Sequence, residues 1–281
     1  MIQTTSQLET NEQYHADTSR ISNSMLSVLK KCPQEFQGRY ITKTVPHPEP
    51  SESMALGHAV HCLVLERLEF DNRFAIKPEG IDRRTNVGKA AWAEFLATAD
   101  GKTVITAEDA EIAFACGAAL VRHDQLGPVL SQRGIVEKRI DFVCDEVEMR
   151  CKPDLVLPSM KLIVDVKTTS DASPKAFANS IADFGYARQA SLYRDAVAME
   201  HGVDCRFLFA VVCTKAPFEV ACYELTDEAI FAGGQEASAL LGEYKVRCEL
   251  NDWLPVWSKG VVPIGLPKYY KHEVYEVEGV A

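Results

Sequence analysis

Asp165 and Lys167 stand two residues apart in the apolar run LIVDVKTT (162–169), and Asp154 opens the run before it, DLVL (154–157). A strand sends alternate side chains to opposite faces, so Asp165 and Lys167 share one face while Val164 and Val166 share the other. If Leu157 and Leu162 close the PSMK connection, an antiparallel ladder places Asp154 opposite Asp165. If the two-residue DE corner joins Cys144 to Val147, the same logic places Glu137 opposite Asp154. A slip of one residue would move every one of these side chains to the other face. Neighbouring carboxylates in a half-buried sheet repel, and burying charge without compensation is costly. A divalent cation resolves that conflict, and oxygen ligands suit a hard ion, Mg²⁺ or Mn²⁺. An ammonium beside the ion suits phosphodiester hydrolysis. The cation polarises the phosphate and lowers the pKa of its water, while the lysine orients that water or stabilises charge growing on phosphorus. A single D-x-K leaves the alternative of a salt-bridged strand end open.

Gln189 and Tyr193, at i and i+4 on the helix that follows, face the same way and can contact a phosphate or the nucleotide near it. His61 lies one turn beyond Gly57 and His58 on an apolar helix. It is either a packed core histidine or a nitrogen ligand for the same ion.

The elements that must position these residues read as α+β: helices first, then strands, then a helix, a hairpin and a last helix. The expected architecture is a mixed central sheet flanked by helices. Residues 1–20 are polar and expected to be a flexible N-terminal segment, with 21–281 forming a single domain. A helix follows in ISNSMLSVLKK, capped by Ser22 or Ser24 and stopped at Pro33. MALGHAVHCLVLERLEF reads as a helix apolar almost all round and therefore buried. NVGKAAWAEFLATA and TAEDAEIAFACGAALVRHDQLG carry helical patterns, joined by the extended KTVIT. Residues 134–170 offer three strand-like runs, and CRFLFAVVCTKAPFEVACYEL reads as a hairpin. The last helix runs from about Asp227 to Leu250, and the tail 251–273 is expected to wrap the surface in extended form.

The chain has 281 residues and a net charge of −10. That balance counts against a surface coated for DNA, since phosphate binding relies on clustered Lys and Arg. Local basic stretches remain, among them IDRRTNVGK with Arg83, Arg84 and Lys89. No apolar stretch approaches the roughly 18 residues needed to span a bilayer, and the polar start lacks the regions of a signal peptide, so a cytoplasmic location is expected. The nine cysteines include no C-x-x-C pair, so reduced thiols are expected and a cysteine-held metal is not.

Taken together, LGHAVH (56–61), KPDLV (152–156), VDVKTT (164–169) and QASLY (189–193) resemble the PD-(D/E)-x-K nuclease superfamily in its RecB-like branch. The opening SMLSVLKKCPQEFQGRY, the RRTNVGKAAWAEF stretch and the Trp- and Pro-rich tail resemble the exodeoxyribonuclease VIII (RecE) family of phage and prophage exonucleases. The resemblance implies a restriction-endonuclease-like core with His61, Asp154, Asp165 and the backbone carbonyl of Val166 as metal ligands. It makes Lys167 the catalytic lysine, matches Gln189 and Tyr193 to the motif that follows, and matches Glu137 to a strand acid. The ion implied is Mg²⁺, with Mn²⁺ substituting. The activity implied is digestion of one strand of linear duplex DNA from a 5′ end. Mononucleotides are released, and a 3′ single strand is left for a partner annealing protein. The resemblance also implies a ring-shaped homotetramer, in which basic residues need only line the channel; Arg83, Arg84 and Lys89 are then candidate DNA contacts, as against a solvated loop. Rival readings are a RecB-like nuclease of the CRISPR or helicase-associated kind, a catalytically silent DNA-binding module, and a hydrolase of small nucleotides. Many of the first kind carry an iron-sulfur cluster on a C-terminal cysteine group, which the lone Cys248 cannot supply.

Overall fold

Leu162 to Val166 are five consecutive buried residues, so this strand is covered on both faces. The computed structural model describes residues 11–48 and 50–267. The chain opens with α1 (Asn11–Ala16), α2 (Asn23–Lys31), α3 (Pro33–Phe36), α4 (Glu52–Leu65) and α5 (Phe70–Arg73). Then come β1 (Phe74–Ile76), α6 (Asn86–Thr98), β2 (Thr103–Ile105), α7 (Ala107–Arg122) and α8 (Leu126–Leu130). The sheet-forming half holds β3 (Ile135–Val136), β4 (Ile140–Cys144), β5 (Val147–Cys151), β6 (Leu155–Leu157) and β7 (Leu162–Thr169). It ends with α9 (Pro174–Phe184), α10 (Tyr186–His201), β8 (Arg206–Cys213), β9 (Val220–Glu224) and α11 (Asp227–Leu250).

The central sheet has the order β3-β6-β7-β8-β9, antiparallel except for the parallel β7–β8 pair, whose crossover α9 and α10 supply. Ile163, Phe207, Phe209 and Val211 join one apolar core with residues of α2, α10 and α11. Leu162, Val164 and Val166 join a second core with α4 and α7 on the opposite face. The mixed sheet flanked by helices is therefore as expected. Ser22, Ser51, Thr85, Thr106, Ser173 and Thr226 each cap a helix, the side-chain oxygen accepting an N–H three residues on. Every cysteine is a free thiol.

Four local expectations need correction. Residues 11–16 are helical where loose chain was expected, because Tyr14 is buried and Ile21 forms a bridge to Met149; residues 1–10 lie outside the described ones. The first two of the three strand runs are each broken. Glu137 adopts a left-handed φ of +46°, and residues 152–154 leave the ladder, so β4–β5 stands off as a separate hairpin. Helix α4 is buried along Leu56, Ala59, Val60, Cys62 and Leu63, yet its first turn, including Met54, is exposed. In the tail, Trp253 is buried and stacks on Phe36 with centroids 5.5 Å apart, anchoring chain that is otherwise exposed to residue 267; residues 268–273 lie outside the described ones.

Two glycines set the placement of α10. Gly185, at φ +67°, makes the sharp turn between α9 and α10 that a side chain would oppose. Gly233 on α11 lets the α10 backbone come close, since a Cβ there would stand 2.2 Å from the Ala187 carbonyl oxygen.

Candidate active site

The β6–β7 register pairs Leu155 with Val164 and Leu157 with Leu162, and its continuation sets Asp154 opposite Asp165. Cys144 faces Val147, and Val136 faces Leu155, so Glu137 falls beside Asp154, where its N–H donates to the Asp154 carbonyl at 3.1 Å. Both acids occupy chain just outside a ladder, where a side chain is free to turn. Asp165 lies within β7 and is fully buried.

Helices reach this row from both faces of the sheet. From α10, Gln189 Nε2 donates to Asp165 Oδ1 at 2.7 Å. Lys167 Nζ forms an ion pair with Asp165 Oδ2 and lies 4.7 Å from the centre of the Tyr186 ring. From α4, His61 Nε2 lies 2.6 Å from the Val166 carbonyl oxygen, and Nδ1 lies 3.3 Å from Asp154 Oδ2. That same carboxylate oxygen accepts the Val166 N–H at 2.7 Å. Glu137 Oε2 pairs with Lys152 Nζ at 2.8 Å.

Burial, reinforced by the charge of Lys167, pushes the His61 pKa down and keeps the ring neutral. A carbonyl can only accept, so Nε2 carries the ring proton and Nδ1 presents a lone pair to Asp154. Burial and the neighbouring Asp165 push the Asp154 carboxyl well above its ordinary range. Two acceptors thus face one another, a contact that a proton or a cation between them would resolve. Burial opposes the charge on Lys167, but Asp165 and Asp154 outweigh it and raise its pKa. Burial likewise opposes the charge on Glu137, and Lys152 outweighs it, leaving that carboxyl lowered. Tyr193, one turn along α10 from Gln189, is held neutral by burial, with Tyr14 next in effect.

Ligand atoms of His61, Glu137 and Asp154 fall within 4.8 Å of one another. One imidazole nitrogen with carboxylate oxygens fits a divalent cation, and the opposed acceptors of His61 and Asp154 fit it further. Asp165 adjoins this group with its carboxylate engaged by Lys167 and Gln189, and the Val166 carbonyl is engaged by His61. His61, Glu137, Asp154, Asp165, Val166, Lys167 and Gln189 therefore meet in one place, while Tyr193 packs on Phe207 with ring centroids 6.4 Å apart. Arg83, Arg84 and Lys89 do not contact the cluster among the described residues. Arg84 pairs with Asp82 at 3.0 Å, Arg83 lies 4.8 Å from the Trp92 ring, and Lys89 is exposed on α6.

A protein-family model, the PDDEXK-like domain of unknown function (DUF3799), matches residues 22–256. The chain belongs to this family. The PD-(D/E)-x-K resemblance is thereby borne out, and with it a nuclease-type fold. No curated protein matches the chain. Among solved structures, a candidate exonuclease from Eubacterium rectale is similar at a TM-score of 0.59 and 15% identity, over 95% of this chain and 97% of that one. At that identity the likeness concerns the fold alone. A phage-related exonuclease from Haemophilus somnus 129PT is similar at a TM-score of 0.31 and 14% identity, over 75% of this chain and 100% of that one, which adds no argument. No helix among the described residues is long and apolar enough to cross a membrane.

Sequence reasoning passed over three neighbours of the cluster: Lys152, Tyr186 and Tyr14. Lys152 carried a signal, standing two residues before Asp154 as Lys167 stands two after Asp165. Tyr186 and Tyr14 carried none, since only the tertiary fold brings their rings to the lysines.

Proposed function

We propose that the protein is a Mg²⁺-dependent exodeoxyribonuclease that hydrolyses phosphodiester bonds of linear duplex DNA. In this reading it works from 5′ to 3′, releases mononucleotides and leaves a 3′ single strand for an annealing partner. The observation that carries the reading is the junction of the His61, Glu137 and Asp154 ligand atoms with the Asp165–Lys167 pair on β7. Residues 21–281 act as one catalytic domain, and assembly into a ring would let a chain of charge −10 present its basic residues only where DNA passes.

His61, Glu137, Asp154 and Asp165 would hold the cation, which when bound polarises the phosphate and lowers the pKa of a water. Lys167, whose pKa is raised by Asp165 and Asp154 against the effect of burial, would serve as a donor to the phosphate. Its ammonium then meets the charge that builds on the phosphoryl oxygens in the transition state. Gln189 fixes the Asp165 carboxylate through one oxygen and leaves the other toward Lys167. Tyr193, neutral and on the same helix face, offers a hydroxyl donor to the nucleotide.

The test uses linear duplex labelled separately at its 5′ and 3′ ends, with Mg²⁺, with EDTA, and with a Lys167→Ala variant. Release of 5′-terminal mononucleotides that is lost in EDTA and in the variant supports the reading. Intact, folded protein that leaves all ends untouched overturns it in favour of a silent DNA-binding module. Release from the 3′ label overturns the polarity alone.

A further inference from the structure

The cluster contains a second lysine. Lys152 lies between β5 and β6, where neither ladder holds the backbone. Its Nζ is 2.8 Å from Glu137 Oε2, and the two side chains are only 11% and 16% exposed. Glu137 is itself unusual, because φ +46° is a region that long side chains seldom adopt. The left-handed turn ends β3 and brings the Glu137 carboxylate among the ligand atoms of His61 and Asp154. Lys152 engages Oε2 of that carboxylate. The Tyr14 ring centre lies 5.5 Å from Lys152 Nζ and 4.3 Å from the Arg150 guanidinium carbon. The chain after α1 is tied down by Ile21, whose N–H donates to Glu148 O at 3.0 Å and whose carbonyl accepts the Arg150 N–H at 2.9 Å.

We propose that Lys152 is a positioning residue for the cation site: it holds Glu137 among the ligands and takes its own place from the Tyr14 ring on α1. The inference rests on the reading of His61, Glu137 and Asp154 as ligands. Ligating carboxylates are ordinarily hydrogen-bonded themselves, and losing such a partner typically costs 10–100-fold in metal affinity. Charge alone would act in the opposite sense, because an ammonium near a dication repels it and its removal would tighten binding. An ion pair with a purely structural role would change the melting temperature and leave the ion's affinity alone. The three roles therefore differ in what a metal titration reads.

The experiment is calorimetric titration of Mn²⁺ into the full chain without DNA, with melting curves in EDTA to establish folding. Lys152→Met is expected to weaken binding by about tenfold or more. Lys152→Arg, which keeps a cation on Glu137, is expected to stay within about threefold of the parent. Glu137→Gln combined with Lys152→Met is expected to bind no more weakly than Glu137→Gln alone, since Lys152 acts through Glu137. Unchanged or tighter binding in Lys152→Met overturns the inference, as does an additive loss in the double variant. Absence of Mn²⁺ binding by the parent protein overturns the ligand reading beneath it, a different outcome from either. If Lys152→Met does not fold, Tyr14→Leu carries the same test. A severalfold loss that vanishes in the Glu137→Gln background supports the inference, and unchanged affinity overturns it.

Discussion

Replacing Lys167 by Met keeps most of the side chain's volume against the Tyr186 ring and removes only the ammonium. The Asp165 side chain is 1% exposed and that of Lys167 is 17%, so the pair lies well inside the range where removing one partner strands the other. Breaking a buried pair costs about 3–5 kcal/mol. The lower end applies here, because Lys167 retains some contact with water and Gln189 still donates to Asp165. An unfolding entropy of about 2.1 cal/mol/K per residue gives about 0.6 kcal/mol/K for a chain of this length, so about 3 kcal/mol corresponds to about 5 °C. Scanning calorimetry in EDTA at pH 8 should therefore show Lys167→Met melting about 5 °C below the parent. The deficit should shrink at pH 5, because Asp154, already pushed up by burial and Asp165, takes up its proton more readily without the lysine. Added Mn²⁺ should raise the variant's melting temperature by more than the parent's, since the ion restores the missing positive charge. A deficit under about 1 °C, or one that widens at pH 5, would refute the account of three mutually repelling acids held by two ammonium groups.

Asp154→Asn should melt above the parent in EDTA while losing Mn²⁺ binding, because asparagine keeps an oxygen for the Val166 N–H and removes a buried charge. A carboxyl raised in the folded state contributes stability that is full below its unfolded pKa and fades as pH rises through the folded one. The parent should accordingly fall further behind Asp154→Asn between pH 5 and pH 8, as melting curves across that range will show. Gly233→Ala should cost about 3 kcal/mol, the upper part of the overpacking range, because the clash is with backbone that has nowhere to go; activity should fall with it, since α10 carries Gln189. Substituting Arg83, Arg84 or Lys89 by Ala should lower the slope of log affinity against log salt by about one for each phosphate that the side chain neutralises. Duplex binding in EDTA over a salt series measures this, and unchanged slopes would leave these residues as an exposed loop and helix face.

The row of acids was legible in the sequence because hairpin register is decided at the turn. Asp145 and Glu146 both adopt positive φ, as a tight two-residue corner requires, and this fixes Cys144 opposite Val147. The register then runs back unchanged through the break at Glu137, so Val136 still meets Leu155 although β3 and β4 belong to different sheets. The break itself was not legible. A left-handed glutamate has no signature in apolar alternation, and its cost is borne by contacts that only the folded chain supplies, Lys152 among them. Tyr14 was hidden for a related reason: a polar N-terminal stretch looks unstructured until Arg150 and Met149 give it something to pack against. Positions set by local geometry could thus be derived residue by residue. Positions set by what approaches from a distant part of the chain were reached only through the family resemblance, as His61 and Gln189 were, or not at all, as Tyr14 was. The cluster needs both, since Asp154, Asp165 and Lys167 come from the first kind while His61, Gln189 and the Tyr14 support of Lys152 come from the second. Motif spacing alone therefore identifies the acids that want an ion. It takes the packing of α1, α4 and α10 around them to show which side chains hold those acids still.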